Sequence, residues 1–443
     1  MDTSSIRFND IFTSFSELAD TNRIWIAYSG GLDSTVLLHL VSVNREQLGP
    51  EIIAVHVNHQ ISKNSVFWEN HCKEICKRLD VKLKIIEVDA TTPKGTGLEA
   101  HARQLRYAAI EKLMKKNDIL LTAHHQNDLA ETFILQLMRG SGPEGLAGMP
   151  LLKSFGEGYL IRPLLGYLRK DLEIYARENR LEWIEDESNL NTDFDRNYVR
   201  NNIITYLEKR WPSAIRTIAR SAEHQTEVID ILKEVAASDF EGVRGESTDY
   251  LNLIQFNHLS NARKKNLLRY WIRLNSHSLP GKNIMEHVLS GVINSRKDKI
   301  PMVRWNDSEI RRYRDKIYII RSRDDINNES YTWNLGNPLT LDCGILQAKQ
   351  VTGKGIRSSS IVDNIIEVRF RTGGEKIHPV GRRETHKLKK LFQETGIPPW
   401  QREQIPLLYI DNQLAAVTGY WIDEKFNTGS NESGWVIYLT EYQ

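Results

Sequence analysis

The chain has 443 residues, too many for one hydrophobic core, and at roughly 100–200 residues per domain it should divide into two to four. Apolar residues are 40% and charged residues 26%, ordinary values for a globular protein, and the net charge of +2 excludes a global cationic field. Cys72, Cys76 and Cys343 are too few, and odd in number, for a disulfide scaffold. No apolar run approaches the ~20 residues of a membrane span and no apolar leader follows Met1, so a cytoplasmic chain without a membrane partner is expected.

Over the first ~210 residues apolar runs and helical periodicities alternate. Strands are predicted at Ile24 to Tyr28, Glu51 to Val57, Lys82 to Val88 and Asp118 to Ala123. Helices are predicted at Ser34 to Val43, Trp68 to Leu79, Gly97 to Lys116 and Asp128 to Met138. This βα alternation predicts an α/β fold, a doubly wound parallel sheet that binds ligands at the C-terminal ends of its strands. Beyond Trp211-Pro212 long helices are expected, Ser213 to Ala237 and Asn261 to Leu274, then strands and turns over Pro301 to Arg321 and a polar linker, Ser322 to Glu329. The last segment reads as strands, a helix at Glu384 to Thr395 and a hairpin across Asp411-Asn412. The expected division is therefore 1–212, a mainly helical middle domain 213–325, and a small α+β domain 326–443.

Ser29-Gly30-Gly31-Leu32-Asp33-Ser34 lies between the first strand and its helix. Two glycines let backbone N–H groups close around a phosphate at a helix N-terminus, and no Lys follows as in a Walker loop. Asp33 would repel a phosphate unless a cation lies between them, so it is the expected Mg²⁺ ligand. The alternative is a plain glycine turn with Asp33 as a favourable helix-start charge. Gly140, Gly142 and Gly145 match the dinucleotide fingerprint but follow a helix instead of a strand. Cys72 and Cys76, four apart on a helix, read as a half-buried face more than as a metal or redox site.

His124-His125-Gln126-Asn127-Asp128-Leu129-Ala130-Glu131-Thr132 begins at another strand end, on the same sheet edge. Asp128 and Glu131 share a helix face, where they can serve chemistry or form a capping box. Arg103 and Arg106 on the preceding helix are candidates for steadying charge on a phosphate, or members of a solvated face paired with residues such as Glu99.

The glycine loop resembles the signature of the PP-loop ATP pyrophosphatases. Several further stretches resemble one branch, the tRNA(Ile)-lysidine synthetases: residues 99–107, His124 to Thr132, Met138 to Met149, Arg162-Pro163-Leu164-Leu165, Asp186 to Asn189, Arg196 to Arg200, and, near the C-terminus, Lys389 to Glu394 and Gly396 to Trp400. Leu129 replaces the usual Gln of the histidine motif, and His56-Val57-Asn58-His59 lacks the usual Gly-Leu. The resemblance implies ATP and Mg²⁺, an isoleucine tRNA with a CAU anticodon, and free lysine. The wobble cytidine would be adenylated with loss of pyrophosphate, and lysine would then displace AMP. It further implies that Asp33, Arg103, Arg106, Asp128 and Glu131 serve catalysis and that His124, Asp128 and Glu131 hold lysine.

Basic clusters outside the ATP segment suit RNA phosphates, with aromatics beside them for stacking. They comprise Arg382, Arg383, Lys387, Lys389 and Lys390 with Trp400, a second group at Arg263 to Arg273, a third at Arg311 to Lys316, and Arg196 and Arg200 nearer the catalytic segment. A solvated face is the alternative for each. A homodimer is compatible with the sequence. Rival functions are a tRNA thiolase, whose reactive cysteine pair is not matched by Cys72 and Cys76, an amidating synthetase, and a non-catalytic tRNA-binding protein retaining ATP.

Overall fold

The computed structural model describes residues 6, 11, 21–58, 64–89, 98–185, 192–296, 299–321 and 330–440, with 98–100 described as backbone only. The chain forms two compact units, Met1–Glu234 and Val235–Gln443. The motif Asp186 to Asn189 and the expected linker Ser322 to Glu329 lie outside the described residues.

The first unit is built on a six-stranded sheet. Its strands are β1 (Arg23–Ala27), β2 (Glu51–Asn58), β3 (Lys82–Glu87), β4 (Ile119–Leu121), β5 (Leu152–Phe155) and β6 (Gly158–Ile161), in the order β3-β2-β1-β4-β6-β5. All neighbours run parallel except β5. The helices are α1 (Leu32–Val43), α2 (Ser65–Arg78), α3 (Leu98–Glu111), α4 (Gln126–Met138) and α5 (Arg169–Glu178). β1 is apolar from Ile24 to Ala27 because both faces of the sheet are covered. Alternation sends Ile24 and Ile26 into one core with α1, and Trp25 into the other, with Ile110 of α3 and Leu160. At the opposite end of the sheet from its ligand edge, buried Asp118 accepts from Trp25 Nε1 at 3.1 Å and pairs with Arg23 at 3.0 Å, tying β1 to β4. Gly158 is required beside it, since a Cβ there would stand 2.1 Å from the Asp118 carbonyl oxygen.

The chain passes from β1 to β2 and β3 on one side and to β4 and β6 on the other, so a crevice opens between the C-terminal ends of β1 and β4. The predicted strands and helices of this unit occur within a few residues of their expected bounds. The antiparallel β5, β6 and α5 were not expected. Their segments are short and polar in part, and their pattern does not stand out from loop.

The helix α6 (Ala214–Val243) runs across the boundary between the units. In the second unit, α7 (Asn261–Leu274) and α8 (Lys282–His287) pack on an antiparallel sheet, β7 (Tyr250–Asn252), β8 (Met302–Trp305), β9 (Ser308–Tyr313) and β10 (Lys316–Arg321), around fully buried Phe256, Leu268 and Trp271. The C-terminal part is α+β: two antiparallel sheets enclose Trp333, Val368 and Leu408, and a helix α9 (Leu388–Glu394) covers a smaller core. α9 starts four residues later than expected, because His386–Lys387 pairs with Lys376–Ile377 as a short ribbon. The predicted hairpin joins β11 (Leu407–Ile410) and β12 (Gln413–Val417), with Asp411 and Asn412 at φ +47° and +60°, the conformation of a tight hairpin turn.

Candidate active site

The loop after β1 is held by its own hydroxyls. Ser34 Oγ donates to the Gly31 carbonyl at 3.0 Å and accepts from the Ser29 N–H at 3.2 Å, while Thr35 Oγ1 donates to the same carbonyl at 2.9 Å. Gly30 has φ +84°, and a Cβ there would lie 3.1 Å from the Cys72 thiol of α2, so a side chain is excluded by conformation and by space. Cys72 and Cys76 are thus fully buried packing residues, more enclosed than the half-buried face expected. Burial pushes both thiols up to about 12, which keeps them protonated and unreactive. Asp33 stands at the first turn of α1 with about a third of its side chain exposed and with Oδ1 buried and without a partner. An oxygen so placed suits a hard cation such as Mg²⁺ whose remaining ligands are phosphate and water oxygens. Among the described residues no cluster of three metal-binding side chains surrounds it.

β4 ends at His124 and His125, and α4 starts there. Asp128 closes the cap, its Oδ2 accepting from the His125 N–H at 3.1 Å. His125 Nε2 lies 3.5 Å from Asp33 Oδ2 and 3.5 Å from Asp128 Oδ2. The imidazole therefore joins the phosphate loop to the acidic pair. Burial alone would depress its proton affinity, but Asp128 and Asp33 outweigh burial and raise it, favouring the imidazolium.

The acidic pair is fully engaged. Arg196 donates to Asp128 Oδ1 at 2.7 Å and to Glu131 Oε2 at 2.8 Å; Arg200 donates to Glu131 Oε1 at 2.6 Å and Oε2 at 3.0 Å. Both arginines come from the helical stretch 195–210, which carries a π-helical turn at Val199–Ile204. Glu131 is completely buried and Asp128 nearly so, and two guanidinium ions balance their charge. Burial would raise the Asp128 carboxyl, yet His125 and Arg196 outweigh it and hold it well below the usual carboxylate range. The sequence reading placed Arg196 and Arg200 on RNA; the structure places them on the acidic pair.

His124 is pushed down to about 3 by burial and by Arg103, Arg162 and Arg196, against the pull of Asp128. Arg103 Nη2, which can only donate, lies 3.4 Å from Nε2, so the proton of this neutral ring sits on Nδ1, 2.9 Å from Thr122 Oγ1. Arg103 also stacks on Tyr107. Arg106 is partly buried on the same helix, near enough to add to the effect of burial on His56 at the next strand end. Of the two, Arg103 is the one brought to His124.

Two residues of this site were not singled out from sequence. His125 was given no role; its signal was its place as the residue immediately before a helix whose third position is Asp128. Arg162 follows β6, is buried at 4% exposure, and donates from Nη1 to the Pro150 carbonyl at 2.5 Å.

The expected RNA residues fall into two groups. Arg383, Lys387, Lys389 and Lys390 are exposed. Arg382 pairs with Glu394 at 2.8 Å. Trp400, expected beside RNA, is buried among Tyr313 and Tyr318, with Arg311 over its ring, so its stacking partners come from its own unit. Of the other clusters, Arg263 is paired with Asp239 and Lys265 with Glu286, while buried Arg312 donates to the carbonyls of Ile293 and Ser295 at 2.7 Å.

Residues 2–207 match the family model of a PP-loop domain, residues 251–318 that of a TilS substrate binding domain, and residues 366–439 that of a TilS substrate C-terminal domain. The chain is 40% identical to a tRNA(Ile)-lysidine synthase of Coxiella burnetii, over 95% of this chain and 94% of that protein. It is 38% identical to one of Methylococcus capsulatus over 94% and 95%, and 37% identical to one of Legionella pneumophila strain Paris over 95% and 96%.

Proposed function

The chain belongs to the tRNA(Ile)-lysidine synthase family of ATP-dependent ligases that act on tRNA, and from that premise we propose that it joins free L-lysine to the wobble cytidine of an isoleucine tRNA with a CAU anticodon. The cytidine O2 attacks the α-phosphate of ATP and pyrophosphate leaves; a lysine amine then attacks C2 and AMP leaves. The PP-loop domain provides the ATP site.

The observation that carries this reading is the joining of two carboxylates through one imidazole, Asp33 and Asp128 each 3.5 Å from His125 Nε2. It favours one centre in which the ATP phosphates, the base and the amine meet. Ser29 to Ser34 hold the phosphates by N–H and hydroxyl groups. Asp33 would hold Mg²⁺, which when bound screens phosphate charge. Arg103 steadies the phosphorus centre and the departing AMP. Asp128 and Glu131 take the ammonium of lysine and accept its proton, with neutral His124 beside them. To do so they must release guanidinium nitrogen for ammonium. Arg196 and Arg200, so released, are positioned for RNA phosphate, along with the exposed Arg383, Lys387, Lys389 and Lys390. Buried, protonated cysteines disfavour the thiolase alternative.

The test is amino-acid-dependent AMP release and incorporation of labelled amino acid by the purified protein with ATP, Mg²⁺ and unmodified tRNA, supplying each amino acid in turn. Product formation with lysine and the CAU isoleucine tRNA is expected. Equal turnover with another amino acid, or without tRNA, refutes the proposal.

A further inference from the structure

The acidic pair accounts for the cationic part of the amino acid and leaves its carboxylate without a partner. Arg162 supplies one. Its side chain is 4% exposed, its Nη1 is held by the Pro150 carbonyl, and its Nε is buried with no hydrogen-bond partner. Among the described residues no carboxylate lies within ion-pair distance of it, and beside the Tyr107 phenol its neighbours include the cations Arg103 and Lys153. A buried guanidinium among like charges is costly unless an anion completes the site.

The position of Arg162 says which anion. It follows β6, which pairs with β4, whereas the phosphate loop follows β1 on the far side of β4. At ~4.8 Å per strand, β6 ends about 10 Å from β1, too far to share its phosphates through a side chain anchored at Pro150. It ends beside β4, where His124 lies within the fields of both Asp128 and Arg162. A cation holder and an anion holder on adjacent strand ends fit a zwitterionic amino acid that presents an ammonium to one and its carboxylate to the other.

We propose that Arg162 binds the α-carboxylate of the amino-acid substrate, using the Nε–H that its Pro150 anchor leaves without a partner. This rests on the reading of lysine as substrate. The carboxylate forms and breaks no bond, so Arg162 selects and orients the amino acid and takes no part in adenylation.

The experiment compares lysine with lysinamide, which keeps both amines and lacks the carboxylate charge, in wild type, R162K and R162M. Wild type should prefer lysine in kcat/KM by roughly 10- to 150-fold, the span of one charge-assisted hydrogen bond. In R162M that preference should collapse toward unity by loss of lysine rate alone; R162K, which keeps the charge and loses the fork, should fall between. Lysine-independent pyrophosphate release with ATP and tRNA should persist in both variants, which also reports an intact fold. A wild-type preference for lysine that survives in both variants overturns the assignment, as does loss of the lysine-independent release in R162K. Failure of wild type to use lysine at all would instead sink the substrate reading beneath it.

Discussion

The sharpest test of the proposed centre is Asp128→Asn. The substitution is isosteric and keeps one carbonyl oxygen, so the helix cap to the His125 N–H survives. It removes the charge that accepts from Arg196 at 2.7 Å and faces His125 at 3.5 Å, and sets an amide N–H₂ or a neutral oxygen against a guanidinium. Arg196 keeps Glu131 at 2.8 Å, so the cost is below that of a fully orphaned buried charge. One lost charge-assisted bond, about 2–3 kcal/mol, should lower the melting temperature of a unit of this size by about 4–12 °C. Stability should also lose part of its acid dependence. The folded Asp128 carboxyl is held below its unfolded value of 3.8, so its contribution is present above that pH and vanishes as pH falls through the folded value; the Asn variant has no such limb. The functional effect separates the two steps. Lysine incorporation should drop by roughly 30- to 150-fold, the same 2–3 kcal/mol expressed as a rate, while pyrophosphate release with tRNA and ATP alone stays near wild type. Stopped assays with labelled lysine and labelled ATP read the two steps. Lysine incorporation within about threefold of wild type, under 1 kcal/mol, refutes the role of Asp128.

His125 gives a pH signature of opposite sign. Its folded proton affinity is raised above the ordinary value of 6.5, so its stabilisation is complete below that pH and is lost as pH rises through the folded value; in His125→Gln the alkaline decline of the melting temperature should flatten. An unchanged decline would show that the imidazolium bridge to Asp33 and Asp128 contributes nothing. The buried thiols should resist iodoacetamide in the native state, and Cys72→Ala with Cys76→Ala should retain turnover where folded; loss of turnover in a folded double variant would revive a thiol chemistry. Removing two exposed charges, Lys389→Gln and Lys390→Gln, should reduce the slope of log affinity for tRNA against log salt by about 2, with no change in pyrophosphate release at saturating tRNA. An unchanged slope would place the RNA elsewhere.

The parallel sheet and the crevice were legible because they rest on signals within short windows. The apolar run before Gly30, the loop itself and the run before His124 are each local, and the rule that ligands sit at strand C-termini brings Ser29 to Ser34 and Asp128 to one edge. Pairings across long separations were not legible. Arg196 and Arg200 are 65 to 72 residues from the acids they contact. Read singly they are basic residues in a family motif, and only the fold shows which negative charges they meet. The same holds for Arg162, whose unusual feature is the absence of a carboxylate, and for Trp400, whose burial depends on Tyr313 and Tyr318 from a sheet ~85 residues earlier. The partners of the basic residues in the C-terminal half were hidden for a related reason. Composition counts charges, but a fold spends many of them internally: Arg312 on backbone carbonyls, Arg263 on Asp239 and Arg382 on Glu394.

That internal pairing bears on the order of events in the proposed reaction. Two carboxylates left bare at the mouth of an ATP site would add their charge to that of the phosphates and oppose nucleotide binding. With Arg196 and Arg200 in place the quartet is neutral, and Asp33, 3.5 Å from His125, is the carboxylate left at the phosphate loop, where a cation can lie between. Lysine therefore does not enter an empty anionic site. Its ammonium has to exchange with a guanidinium that already makes two or three short hydrogen bonds, and that exchange is close to neutral only if the displaced guanidinium gains an anion of its own. RNA phosphate is such an anion, and so is the nascent adenylate. On this argument the acidic pair becomes available to lysine once the tRNA is seated, which couples use of the amino acid to the presence of the base it must modify.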